Sequence, residues 1–463
     1  METRPVAITH PQSFLDRFFG LAARGTTVRR EILAGATTFM TMAYILFVNP
    51  NILGNAAGPG HFAAILTSTA LVAAVMTVAM GLLANLPLAL ASGMGLNAVV
   101  AFGLVMGKKL SYPQAMGVIV AEGVVITLLV VTGLRQAVVR AVPMTMKRAI
   151  GIGIGLFLAI IGFKNAGFIS AGGGLLQLGP EGAFGRLSGF PVILFAVTLL
   201  FTAWLVSRNV PGALLIGIAA STAVAVIAKR LLGGAGFAPE IANLPATVLG
   251  PPDFSMLGDF DLSFVGVLGP LAASLAVFSI MLSDFFDTVG TVVAVGQEAK
   301  YLDEQGNFPR PGTVLLVDSL AAVAGGVAGS SSATTYVESA SGAAAGGRTG
   351  LTSVVTGLLF ALCLFISPLA GMVPPQATGA VLVLVGYFMM REVGAIAWED
   401  PTEAIPAFLT LTVMPFTYSI TNGIGAGFVS YAFLKLVTGR GRDVHPLMYG
   451  AAVAFVVYFA IGG

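Results

Sequence analysis

Gly329-Ser-Ser-Ser-Ala-Thr-Thr-Tyr-Val-Glu-Ser-Ala-Ser-Gly342 lies between two long apolar stretches, residues 315–328 and 351–370. A polar run that carries a carboxylate, Glu338, cannot face hydrocarbon, where unsatisfied backbone and charge cost several kcal/mol. Non-helical backbone at membrane depth persists only where it lines a protein cavity, which is how transporters build substrate sites. The run therefore predicts a membrane carrier and supplies half of its binding site.

Composition points the same way. The 463-residue chain is 56% hydrophobic and 10% charged, with 59 glycines and a mean hydropathy of +0.93. A soluble domain carries about 25% charged residues. A net charge of +2 gives no electrostatic footprint for nucleic acid. The single cysteine, Cys363, sits in an apolar span and excludes a disulfide framework or a Cys-based zinc site. His10, His61 and His445 fall near span ends or in tails, so carboxylates must supply any coupling chemistry. No metal and no organic cofactor is implied. Residues 1–30 are polar and Arg-rich without an apolar h-region, so no cleavable signal peptide is expected.

At roughly 20 residues per span, hydropathy predicts crossings at 33–53, 63–84, 87–106, 114–133, 148–163, 190–207 and 210–228. A second set follows at 266–296, 311–328, 330–346, 350–371, 375–391, 402–418 and 420–438. A further apolar stretch, 446–462, either crosses or lies as a re-entrant or surface helix. Arg4, Arg17, Arg24, Arg29 and Arg30 precede the first span, which puts the N-terminus in the cytoplasm of a multi-pass plasma-membrane protein. That choice also places Arg135, Arg140, Lys147, Arg148, Arg440 and Arg442 inside.

The organisation expected is a tail at 1–32, a seven-span repeat at 33–228, a polar linker at 229–265 and a second repeat at 266–463. An odd number of spans per repeat forces the second copy to be inverted. The interrupted third span, 87–102, is echoed by the interrupted tenth, 329–346, and Pro143 by Pro374 and Pro375. Paired broken segments in corresponding positions point to a midplane site.

Four groups carry candidate chemistry. In Leu90-Ala-Ser-Gly-Met-Gly-Leu-Asn-Ala98, glycines allow close backbone approach, and a helix starting there aims free N–H groups at a ligand beside the Asn97 amide. Gly93 and Gly95 also suit tight helix packing; the counterpart in the tenth span favours the site. Glu338 can be a ligand, or it can close a capping box with Thr335, or both. Ser331, Ser332, Thr334 and Ser339 offer secondary hydrogen bonds or cap backbone. In Asp284-Phe-Phe-Asp287, spacing of three puts both carboxylates on one helix face, where they resist ionising together. That suits proton coupling, although one of the pair can be structural. Glu122 and Asp318 read as helix-to-helix hydrogen-bonding groups. Phe39, Tyr44, Phe285 and Phe286 can stack on a flat ligand or simply pack.

Long motifs in order resemble the nucleobase–cation symporter type 2 family, in its azaguanine-resistance-type branch of purine permeases. They are Ala36-Thr-Thr-Phe-Met-Thr-Met-Ala-Tyr-Ile-Leu-Phe-Val-Asn-Pro50, Gly93-Met-Gly-Leu-Asn-Ala98, Gly153-Ile-Gly-Leu-Phe157 and Phe286-Asp-Thr-Val-Gly-Thr291. Thr334-Thr-Tyr-Val-Glu-Ser339, Gly346-Gly-Arg-Thr-Gly350 and Glu403-Ala-Ile-Pro-Ala-Phe408 complete the set. The resemblance implies an all-α fold of about fourteen spans in two inverted seven-span repeats. These form a core and a gate domain, with short extended segments in broken spans 3 and 10. It implies proton-coupled uptake of adenine, guanine or hypoxanthine, with Asn97, Asp284 and Glu338 on the substrate and Asp287 needed for transport. Thr335, Ser339, Phe285 and Tyr44 are secondary candidates, and a homodimer stays open.

Two other classes fit the sequence less well. An anion carrier of the sulfate/bicarbonate type shares the inverted-repeat plan, but Asp284 and Glu338 repel an anion and suit a neutral heterocycle bearing N–H donors. A membrane enzyme needs a nucleophile, metal cluster or phosphate-binding loop, and no such pattern stands in the sequence. Which purine is carried turns on one or two pocket contacts that sequence does not show.

Overall fold

The computed structural model describes residues 13–134, 141–172, 175–180, 185–234, 236–237, 241–302 and 308–461. Arg4, His10, Arg135 and Arg140 lie outside the described residues.

The first span is two helices, α1 (Val28–Met42) and α2 (Ile45–Ala57), broken at Ala43 and Tyr44. Then come α3 (Phe62–Leu83), strand β1 (Leu90–Ser92) and a short helix α4 (Met94–Ala98) that widens into a π-helix at Val99–Gly107. Three longer helices follow: α5 (Tyr112–Val131), α6 (Met144–Asn165) and, after the hairpin β2 (Ile169–Gly172) and β3 (Leu175–Leu178), α7 (Phe190–Ser207). The half closes with α8 (Ala213–Leu231). The second half runs α9 (Pro270–Ala299), α10 (Pro311–Ala328), β4 (Ala333–Thr335), α11 (Ser339–Ala344), α12 (Gly350–Leu362), α13 (Pro375–Met390), α14 (Pro401–Thr417) and α15 (Ile420–Val437). A last helix, α16, spans Pro446–Ala460.

Among the described residues, ten helices are long and apolar enough to cross a membrane. The two broken spans, α12 and α14 bring the count to the fourteen expected. The packing is exchanged between halves. Helix α3 packs on α12 as α10 packs on α5, α7 on α13 as α14 on α6, and α7 with α8 as α14 with α15. Spans 5 and 12, α6 and α13, pack on each other, and β1 pairs antiparallel with β4. That reciprocity is the signature of two inverted repeats. Spans 1–4 and 8–11 form the core domain, and the α6–α8 and α13–α15 groups form the gate.

Mutual glycines set the closest seam of the gate. A methyl on Gly162 lies 2.5 Å from the Gly379 carbonyl oxygen, and one on Gly379 lies 2.7 Å from that of Gly162. One heptad away Gly155 and Gly386 repeat the relation, each methyl running into the other's carbonyl oxygen. Small residues let two backbones approach where lipid supplies no hydrophobic drive.

Among its described residues the polar linker is non-helical between the end of α8 at Leu231 and a short helix, Phe264–Leu268. It lies over one end of the core: the N–H groups of Asp253, Gly258 and Asp261 donate to Thr67 Oγ1, the Val327 carbonyl and the Pro113 carbonyl, at 3.0, 2.7 and 2.9 Å. The apolar stretch at 446–462 packs on the gate. Helix α16 runs antiparallel along α15, with Tyr449 bonded to the Gly441 carbonyl at one end. Phe455 meets Phe428 midway, and at the other end the Lys108 ammonium sits 5.1 Å from the Tyr458 ring. At 1.5 Å per residue, its 15 residues extend about 22 Å, short of the roughly 30 Å hydrocarbon core, and it stands outside the fourteen spans counted above.

If the glycine seam sets the gate, Gly162→Ala lowers the stability of the purified protein by about 1–3 kcal/mol through overpacking. Gly54→Ala, whose methyl meets no atom within 4 Å, leaves it unchanged or raised. Thermal unfolding in detergent compares the two; equal melting temperatures would reject the seam.

Candidate functional site

The run that breaks the tenth span begins where α10 stops at Gly329, which has a left-handed φ of 80° that glycine adopts without strain. Buried backbone polar groups in the membrane need partners, and here many are met from other elements. The Gly93 N–H donates to the Ser332 carbonyl at 2.8 Å and the Tyr336 N–H to the Ala89 carbonyl at 2.9 Å. The Thr335 N–H donates to Asp318 at 3.1 Å, and the Ala89 N–H to Ser339 Oγ at 2.9 Å. Thr77 both donates to the Leu90 carbonyl and accepts from its N–H, at 3.0 and 2.9 Å. The outcome is a two-stranded ribbon, Leu90 opposite Thr335 and Ser92 opposite Ala333, that brings the starts of α4 and α11 together.

Around the ribbon lie two layers of polar groups. The inner layer is sealed. Asn97 and Asp284 are fully buried, yet neither Asn97 amide atom nor either Asp284 oxygen has a well-formed hydrogen-bond partner among the described residues. The Thr334 hydroxyl stands beside Asp284. The hydroxyls of Ser92 and Thr335 are likewise buried and unpartnered. Native interiors satisfy nearly all such atoms, so a cluster of orphans marks a place built for something else to bond. The outer layer is Glu338 and Asp287. Glu338 is half-buried and accepts a 2.6 Å hydrogen bond from the Tyr44 phenol. Asp287 is solvent-accessible at the floor of a crevice and faces Asp318 and Glu338.

The crevice opens between core and gate on the side of the Met144 end of α6. Lys147 and Gly151 share a face of α6, and Phe286 and Gly290 share a face of α9. The Lys147 ammonium sits 5.3 Å from the Phe286 ring, and both glycines have open space beside them. Toward the other end the way is closed. Phe102 of the core meets Phe157 and Tyr418 of the gate at ring separations of 6.4 and 6.4 Å, with Phe157 and Tyr418 5.8 Å apart. Lys164 covers Tyr418 at 5.2 Å. The site is therefore open to one side and shut by an aromatic triad on the other.

Several expectations change on contact with this geometry. The capping box of Thr335 and Glu338 does not form, because the Tyr44 phenol draws the carboxylate and no side chain caps α11. Asp284 and Asp287 differ in exposure: Asp284 is fully buried with Glu122, Asp318 and Asp287 as charged neighbours, while Asp287 is exposed and neighbours Asp318 and Glu338. Asp318 accepts from Thr288 at 2.6 Å as well as from the Thr335 N–H, so it ties α9 and the ribbon to α10. Ser339 caps ribbon backbone. Phe39 packs on Phe360 at 5.1 Å, away from the ribbon, and Phe285 packs edge-on against Phe286 at 5.3 Å. Tyr336 was missed. Its phenol donates to the Ser92 carbonyl at 2.5 Å and clips the two strands together; its place inside Thr334-Thr-Tyr-Val-Glu-Ser339 was the available signal. Among the described residues no three His, Cys, Asp or Glu side chains are grouped to hold a metal ion.

Known proteins resemble this chain at two levels. Its fold is similar to the transmembrane domain of the cyanobacterial bicarbonate transporter BicA (TM-score 0.59, 16% identity, 86% of this chain and 97% of that one). It is also similar to the murine Slc26a9 anion transporter (TM-score 0.61, 11% identity, 95% and 74%). At those identities the likeness is one of architecture. In sequence the chain is 41% identical to the adenine permease AdeP of Escherichia coli over 451 residues, 97% of this chain and 96% of that one. It is 37% identical to the guanine/hypoxanthine permease PbuG of Bacillus subtilis, over 96% of this chain and 98% of that one. The profile of the Permease family (Xan_ur_permease) matches residues 29–460. With its length spanned by that profile and by relatives of this similarity, the chain belongs to the permease family, in the nucleobase–cation symporter type 2 group its motifs resemble.

Proposed function

We propose that the protein is a symporter that carries purine nucleobases (adenine, guanine or hypoxanthine) together with a proton across the plasma membrane. The observation that carries this reading is the pair of buried, unpartnered groups, the Asn97 amide and the Asp284 carboxylate, beside the meeting half-helices. An amide donates and accepts, and a carboxylate accepts. Together with Glu338 they match the alternating N–H donors and ring-nitrogen acceptors of a purine edge. The names of the relatives, adenine and guanine/hypoxanthine permeases, support the same substrate class. The anion-carrier alternative draws only on shared architecture, and carboxylates at the site oppose it.

In this reading Asn97, Asp284 and Glu338 hold the base, and Tyr44 orients Glu338. Thr335 contributes a free hydroxyl. Asp287, at the accessible floor of the crevice, exchanges protons with solvent, and Asp284 shares in that coupling. The Arg-rich segment before α1 puts the N-terminus and the open crevice on the cytoplasmic side. No organic cofactor enters the scheme.

Uptake into proteoliposomes rises with an inward proton gradient and collapses with an uncoupler. Sodium dependence with indifference to the uncoupler would instead assign a sodium symporter.

Binding and coupling separate by variant. Glu338→Gln keeps the shape but loses a charge-assisted acceptor, which costs about 1.5–3 kcal/mol of binding and weakens affinity roughly ten- to hundredfold. Asn97→Ala weakens purine binding while the protein still inserts. Asp287→Asn keeps binding and loses proton-driven accumulation. Calorimetry on purified protein paired with vesicle uptake reads both. Normal binding by Glu338→Gln together with lost binding by Asp287→Asn reverses the roles.

A further inference from the structure

Behind the ribbon, on the side away from the crevice, Glu122 sits in the middle of α5 with no exposed surface. Its Oε2 accepts a long hydrogen bond, 3.4 Å, from the Ser332 hydroxyl, and its Oε1 has no partner. The charged groups that face it are carboxylates: Asp318 from α10 and Asp284 from α9. The other elements packed on α5, the π-helix Val99–Gly107 and the short helix Phe264–Leu268, bring no titratable residue within their spans. A structural carboxylate at such a position normally has both oxygens bonded. An ionised one with a bare oxygen, close to two more carboxylates and out of water, is costly. Glu122 is thus built to hold a proton rather than a charge.

Its position also connects it to the binding groups. Asp287 is accessible from the crevice, Asp284 lies one turn deeper and Glu122 beyond that, so the three carboxylates run inward from solvent. Ser332, which donates to Glu122, accepts at its own carbonyl the Gly93 N–H at 2.8 Å. Gly93 is the residue that begins α4, and Asn97 lies on that helix.

From this geometry we propose that Glu122 is a proton-carrying residue of the transport cycle, acting on the binding site through Ser332. The inference rests on the reading of the chain as a proton-coupled purine carrier. A proton that enters from bulk water at Asp287 passes by way of Asp284 to a Glu122 oxygen and leaves to water in the opposite state of the carrier. No electrons move and no bond other than O–H is made or broken. When Glu122 is ionised it pulls on the Ser332 hydroxyl; when protonated it releases that hydroxyl. The strand that positions Gly93 and Asn97 feels the difference. Glu122 is then a positioning residue for the substrate and a carrier for the proton.

The test uses the full-length protein in proteoliposomes with radiolabelled adenine and guanine. Two modes are measured: accumulation driven by an imposed proton gradient, and exchange of labelled for unlabelled purine with no gradient. Calorimetric binding is followed across pH in the same preparations. Glu122→Gln, a permanent mimic of the protonated form, is expected to keep exchange, lose gradient-driven accumulation and flatten the pH dependence of affinity. Glu122→Asp is expected to restore part of the accumulation, and Ser332→Ala to reduce accumulation while exchange persists. Gradient-driven accumulation by Glu122→Gln equal to that of the parent overturns the proposal and leaves the purine-carrier reading standing. Loss of binding, exchange and accumulation alike in both Glu122→Gln and Glu122→Asp makes Glu122 structural and also overturns it. A parent protein that neither binds nor exchanges either purine overturns the underlying reading, and the proposal with it.

Discussion

Every backbone N–H and C=O at membrane depth must find a partner within the protein, and the rest of this structure follows from how that demand is met at two breaks. The chain stops being helical at 85–93 and again at 329–338. Neither stretch alone can satisfy its own polar groups. Paired as an antiparallel ribbon they satisfy many of each other's. Side chains supply the remainder: Thr77 and Ser339 on β1 and its approach, Asp318 on β4, and Ser353, whose hydroxyl lies 2.8 Å from each of the Leu86 and Leu88 carbonyls. The polar residues that made these segments unfit for lipid are the ones that make them stable in protein.

The site is a consequence of that arrangement. Two short helices start where the ribbon ends, and their orphan N–H groups give the space between them a positive bias. The carboxylates are placed against that bias, with Glu338 held by Tyr44 at the accessible edge and Asp284 sealed inside. Depth separates two aspartates that stand only three residues apart on one helix. Three residues at about 100° each leave them only about 60° apart around the axis, so it is the one-turn step along α9, with Asp284 buried and Asp287 exposed, that separates them.

Core and gate are held by different physics. The core is knitted by hydrogen bonds that cross between repeats, including the linker that straps its end and Glu31, which accepts from the Thr349 and Thr352 hydroxyls at 2.8 and 2.6 Å. The gate relies on the glycine seam of α6 and α13. One ion pair buried in the α14–α15 hairpin, Lys435 with Glu403 at 2.7 Å, adds to it. The contacts between the two bodies are of a third kind: rings and long side chains such as Phe102 against Phe157 and Lys147 against Phe286. Such contacts carry no backbone hydrogen bonds, so two rigid bodies can part there without leaving polar groups unmet.

Much of this was legible in the order of residues. Span number, the two broken spans and the inverted seven-plus-seven plan follow from hydropathy and from polar runs that lipid excludes, and both are local properties of the chain. The site candidates Asn97, Asp284 and Glu338 could be named for the same reason, as polar groups at apolar depth. What those groups touch was decided only in three dimensions. Tyr44 lies 294 positions from Glu338 and takes it away from the capping box that the local spacing predicts. Glu122 stands 210 positions from Ser332, and no periodicity in α5 reveals that one of its oxygens goes bare. The packing of α16 along α15, with Phe455 on Phe428, was likewise decided only by the fold. Local sequence sets which groups must leave lipid; only the packed fold determines which partner each one finds, because those partners come from the opposite repeat.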